Sequence, residues 1–261
     1  MRPTPRLLRR PGFVRRSLDE FLRLSNVAVN LEGLREATKP YHLVSFDSPA
    51  SIDRCKTMSD RDIGGFSTAH LDFVPGGSAS TRDTHHDADA PPHARFHGRI
   101  STQLPASSPQ VQRTGYAAWR TLDRGASLWG RLLWDTSPYR YLALHVKSDG
   151  RAYFVNVQTD SVVPTDIHQH RLFAQRPGEW ETVLIPWDDF VRTNYGRVVE
   201  PRHEMLRQKV RTVGIGSTDR VVGPFELRVA GIWATNGLEK ERGETGEVEK
   251  IRGEQVRWTP E

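Results

Sequence analysis

The chain of 261 residues is predicted to fold as an all-β protein, a β-sandwich with short helical additions. Three observations predict it. Apolar runs of strand length recur between residues 41 and 236, bounded by Gly, Pro, Asn, Asp and Ser. In residues 138–160 two runs alternate apolar and polar side chains about a Ser148-Asp149-Gly150 turn. Helical and strand patterns do not alternate along the chain, which points to antiparallel sheets packed face to face.

The 138–160 stretch reads as a hairpin at the centre of the sandwich. Leu142, Leu144 and Val146 share one face of its first run, and Tyr153, Val155 and Val157 one face of its second. Asp149-Gly150 supplies the positive-φ positions that such a turn needs.

With 36% hydrophobic residues the chain is long enough for one large domain with tails, placed at 41–236. Its apolar stretches fall far short of the roughly 18 consecutive residues of a membrane span. Cys55 is the only cysteine, which excludes an internal disulfide framework and Cys-rich zinc sites. The net charge of +5 raises a nucleic-acid role, but its placement removes the reason for one. Residues 1–40 hold nine Lys or Arg against four Asp or Glu, an excess equal to that of the whole chain, so residues 41–261 are neutral.

The first eighteen residues contain six arginines and no acid, the composition of a mitochondrial transit peptide, so 1–40 is expected to be a basic leader with a short helix. Ser17 is the expected N-cap of that helix, with Glu20 three residues on, and Val14, Leu18, Phe21 and Leu22 form its apolar stripe. Gly64-Gly65 lacks the lysine and hydroxyl of a P-loop and the third glycine of a dinucleotide loop. It reads as a tight crossing where a side chain would not fit.

Strands are expected at 41–46, 69–73, 95–104, 114–121, 178–186, 210–215 and 225–233, with Trp119 facing the core, Pro186 closing one strand and a helical turn at 187–191. Residues 75–92 read as a loop insertion and 237–261 as a charged tail. His85, His86, Asp87, Asp89, His93 and His97 fit no ligand spacing, nor do His168, His170 and His203, so no metal or other cofactor is expected. Carboxylates show no acid/base pairing pattern, and Gly214-Ile215-Gly216-Ser217 is not a nucleophile elbow, so no catalytic residue is assigned. The densest aromatic stretch, 127–134, carries the expected partner contacts Trp129, Arg131 and Trp134.

A set of blocks in fixed order adds to this reading. They are Ser59-Asp60 with Ile63-Gly64-Gly65-Phe66-Ser67; Phe96-His97-Gly98; Gly115-Tyr116-Ala117; Trp134-Asp135 leading to Tyr141-Leu142-Ala143-Leu144 and Asp149-Gly150-Arg151; residues 180–190; Val213-Gly214-Ile215-Gly216; and Gly223-Pro224-Phe225-Glu226-Leu227 through Ile232. Together they resemble the complex I intermediate-associated protein 30 family over about 41–236. The resemblance implies a galactose-binding-like jelly roll. It also implies a non-enzymatic assembly factor that binds a complex I intermediate and other assembly factors at the matrix side of the mitochondrial inner membrane. Peripheral membrane association is compatible with that place, and nucleic acid is not an expected partner. A jelly-roll carbohydrate-binding module is the second reading, since such folds often bind sugars and the chain has seven tryptophans. The missing secretory signal and calcium loop weigh against it.

Overall fold

A computed structural model of the chain describes residues 12–30, 37, 39–77, 90–106, 108–200 and 204–237. The expectations for 1–11, for His85, His86, Asp87 and Asp89 in the insertion, for His203 and for 238–261 lie outside the described residues.

Helix α1 (Phe13–Asn30) precedes the strands β1 (Tyr41–Ser45), β2 (Cys55–Ser59), β3 (Thr68–Val74), β4 (His93–Ile100), β5 (Ala117–Thr121), β6 (Ala126–Ser127), β7 (Gly130–Arg131) and β8 (Tyr141–Ser148). Then follow β9 (Tyr153–Thr159), β10 (Asp166–Leu172), β11 (Trp180–Pro186), β12 (Val191–Asn194), β13 (Arg197–Val198), β14 (Val210–Ser217) and β15 (Gly223–Thr235). One sheet runs β11-β8-β15-β4-β3, with β1 also on β15, and the other runs β13-β12-β10-β9-β14-β5-β2; β6 and β7 form a separate two-stranded ribbon. Every named pair is antiparallel.

Alternation in sequence becomes burial in space. Leu142, Leu144 and Val146 of β8 and Tyr153, Val155 and Val157 of β9 are all fully buried. Trp119 is fully buried as expected and meets the Phe46 ring edge-on at 5.6 Å. The two runs do not, however, form a hairpin: β8 bonds to β11 and β15, β9 to β10 and β14, and the chain crosses from one sheet to the other. A hairpin and a crossing connection demand the same alternation, because in both each strand turns one face to a shared core. Gly150 still takes the expected positive φ, +87°.

That crossing explains the 149–151 block. Asp149 accepts from the Arg151 amide at 3.0 Å, the Tyr153 hydroxyl at 3.1 Å and the Glu226 amide at 2.8 Å. The Arg151 guanidinium forks onto Asp219 at 3.0 and 2.8 Å and donates to the carbonyls of Val221, Gly223 and Pro224. Together they fasten the connection between β14 and β15 to the end of β8. The block is architectural.

Other boundaries move. The strand expected at 95–104 ends at Ile100, that at 114–121 begins at Ala117, and β2, β10, β12 and β13 were not anticipated. Residues 60–63 form a 3-10 turn closed by Gly64 at φ +90°. Ser17 is not an N-cap: it lies inside α1, and its hydroxyl donates to the Phe13 carbonyl at 2.9 Å.

Candidate functional site

Register places the loops. β9 runs from the crossing at Gly150 toward Thr159, so 160–165 lies at the opposite end of the sandwich, where Asp166 pairs with Asn194 and sets the β12–β13 turn beside it. The β6–β7 ribbon joins this end, because Arg131 reaches Asp160 at 2.7 Å. Leu128, Trp129, Val162 and Tyr195 are exposed at these tips.

Ribbon geometry presents Trp129. Gly130 closes the turn at φ +104°, the Ser127 hydroxyl donates to the Gly130 carbonyl at 3.2 Å, and the Trp129 amide donates to that hydroxyl at 3.1 Å. The Leu128 amide donates to Ser17 of α1 at 2.9 Å, so the helix and the turn hold each other. Trp129 stays 55% exposed, its ring stacked on Phe21 at 6.1 Å. Arg131 is 60% exposed, and at such exposure its ion pair contributes less than about 1 kcal/mol, which leaves the guanidinium available to another partner.

Trp134 has a different place. It is only 6% exposed, within the core cluster, bonded both ways to Val210 at 2.8 and 3.0 Å and covered by the Arg124 guanidinium at 5.3 Å. The expected contact trio is therefore two surface residues and one buried anchor. Aromatic density marked the segment, but only the turn geometry separates its two tryptophans. Val162 and Tyr195 gave weaker signals, a Val-Val pair before Pro164 and an aromatic before Gly196; Tyr195 adopts φ +48°, rare for a residue with a side chain.

Elsewhere the chemistry is structural. Burial pushes the Cys55 thiol up to about 12, so it stays protonated. Ser217 sits buried in β14 with its hydroxyl 3.5 Å from Asp219, far from a nucleophile's exposed turn. His97 bonds Asp72 at 2.7 Å beside His70, His93 bonds the Pro91 carbonyl at 2.8 Å, and burial lowers the pKa values of His168 and His170. Among the described residues no three His, Cys, Asp or Glu are placed to hold a metal ion, and no helix is long and apolar enough to cross a membrane.

Two antiparallel sheets around one core, with connections that change sheet and exposed side chains at the loop tips, define an antiparallel β-sandwich. The family model for complex I intermediate-associated protein 30 matches residues 44–229, and the chain belongs to that family. A relative from Neurospora crassa, complex I intermediate-associated protein 30, mitochondrial, is 52% identical over 94% of this chain and 90% of its own. The mouse protein of the same name is 28% identical over 70% of this chain, and the match spans 52% of the mouse protein's length. Among solved structures, a family 11 carbohydrate-binding module from Clostridium thermocellum, in complex with a β-1,3-1,4-mixed-linked tetrasaccharide, covers 78% of this chain and 99% of its own. Its identity is 14% and its TM-score 0.48, too distant to carry a sugar site to this chain.

Proposed function

We propose that this chain is a non-enzymatic assembly factor that holds an intermediate of mitochondrial respiratory complex I while the membrane arm is built, at the matrix side of the inner membrane. The observation that supports it is family membership across 44–229, together with the 52% identical mitochondrial relative. The physical task suits a rigid sandwich: exposed apolar and unpaired polar surface on an unfinished complex is covered until later subunits replace the chaperone. Trp129 and Arg131 are the contact residues, one supplying an amphipathic ring and the other a forked donor.

Deletion of the gene, followed by native electrophoresis of mitochondrial membranes, is the direct test. Full-size complex I is expected to fall and a membrane-arm fragment to accumulate. Normal complex I levels in the deletion strain would end the proposal. Tagged pull-down from mitochondria then identifies which intermediate and which other assembly factors travel with the chain.

A further inference from the structure

Helix α1 is oriented against the usual rule. A surface helix ordinarily lays its apolar stripe on the core and turns its polar side to water. Here Arg16, Ser17, Glu20, Arg23 and Ser25 are the half-buried side chains, with Ser17 bonded to the β6–β7 turn. Val14, Leu18, Phe21 and Leu22 are 79%, 56%, 49% and 53% exposed. The Phe21–Trp129 stack carries this surface onto the turn, where Leu128 is 71% exposed. Six large apolar side chains thus share one uncovered face, although polar residues of the same helix were available to be turned outward.

We propose that this face, the exposed stripe of α1 continued by Leu128, rests on an anionic lipid surface, with Trp129 at its rim left to the protein contact described above. The apolar side chains enter the boundary between headgroups and acyl chains, and the arginines meet lipid phosphates. Charge supports this occupant. The whole chain's excess of +5 lies within residues 1–40, and Arg2, Arg6, Arg9 and Arg10 lead into α1 with no acid before Asp19. On α1 itself Glu20 is taken up by Arg23 at 2.7 Å and Arg16 is half-buried against Gly125, so Arg15 is the exposed cation of the helix, beside Asp19. An interfacial helix needs this combination of an apolar stripe, flanking arginines and an aromatic at the rim, and it needs no matching groove. Anionic headgroups add attraction for each nearby cation.

The inference does not depend on the complex I role, and purified protein with lipid alone tests it. The full chain is co-sedimented with phosphatidylcholine vesicles, with and without added phosphatidylglycerol. It is expected to sediment with the anionic vesicles, to stay in solution with the neutral ones, and to be released as salt rises. Leu18→Ser with Leu22→Ser should lower partitioning about tenfold or more. The melting temperature should hold, because both side chains are exposed. Arg15→Glu should weaken binding in the same direction. Equal partitioning of the double variant overturns the proposal. So does a concentration-dependent dimer that the double variant dissolves without vesicle binding, which assigns the face to a second copy. Loss of a captured assembly intermediate in the double variant, again without vesicle binding, assigns it to a protein partner. N-terminal sequencing of the chain recovered from mitochondria closes the question of presence: a start beyond Asn30 would remove α1 and the proposal with it.

Discussion

The carboxyl group of Asp60 fills the space beside Gly65, where an added Cβ would lie 2.5 Å from Asp60 Cγ. Asp60 is fully buried and accepts from the Ser67 amide at 2.8 Å, the Ser67 hydroxyl at 2.7 Å and the Gly115 amide at 2.6 Å. The loop after β2 and the approach to β5 are wrapped around this one side chain. Gly65→Ala is therefore expected to cost about 2 kcal/mol or more by overpacking. Asp60→Ala is expected to cost at least as much, since buried amides lose their acceptor. In an Asp60→Gly background, which also removes the Cβ that would lie 2.8 Å from the new methyl, Gly65→Ala should cost less than half as much as it does alone, measured by urea unfolding in a double-mutant cycle. Additive costs would show that the two residues do not compete for space.

The two tryptophans of the 127–134 segment are expected to separate experimentally. Trp134→Ala should lower stability by about 3–5 kcal/mol, because it empties a site inside the core. Trp129→Ala should change stability by no more than about 0.5 kcal/mol. Its effect is expected in capture of the assembly intermediate by tagged pull-down, which should fall while the melting curve holds. Wild-type capture by the Trp129 variant would remove the turn from the contact surface.

These contrasts also show what was legible in the sequence. Leu142, Val155 and Trp119 could be assigned inward because alternation reports burial directly. Pairing could not be read: β8 and β9 satisfy the same alternation whether they bond to each other or face each other across the core. The asymmetry between Trp129 and Trp134 was hidden for a related reason, since one residue type serves as a core lid or a surface anchor according to a turn only a few residues long. Strand β10, with two histidines and little apolar content, gave too weak a periodic signal to be found. The stripe on α1 was visible, but its direction depends on the Ser17–Leu128 contact between distant segments.

Gly150→Val tests the crossing between sheets. The position has φ +87°, and a Cβ there would meet Pro177 at an ordinary 3.4 Å, so backbone strain sets the minimum cost. A β-branched residue there should cost about 1–2 kcal/mol or somewhat more in equilibrium unfolding. Capture of the intermediate should survive at temperatures where the variant remains folded. A variant that melts like wild type yet fails to bind would turn the crossing into a recognition site.

Acid should unfold the protein partly through Asp166. Burial pushes this carboxyl up, but hydrogen bonds from Asn194 at 2.8 Å and Arg192 at 2.7 Å outweigh it and hold the group below the usual carboxylate range. A folded pKa below the unfolded one means stability that is complete above about pH 4 and is lost as pH falls through the folded value. Asp166→Asn should therefore show a shallower decline of unfolding free energy between about pH 4 and pH 2 than wild type. Glu226, held down by Arg95 and Arg228 against its own burial, should preserve part of the slope. An unchanged slope in the Asp166 variant would assign the acid transition to other groups.

Strand β15 bonds to β8 on one side and to β4 and then β1 on the other. Three strands made earlier in synthesis thus share a single late partner, the last strand among the described residues. Until residues beyond 223 have left the ribosome or any channel the chain passes through, that sheet has no centre, and β1, β4 and β8 wait with open edges. Folding is a commitment made at the end of the message, and a chain cut just before Gly223 keeps most of the sequence and loses the sandwich.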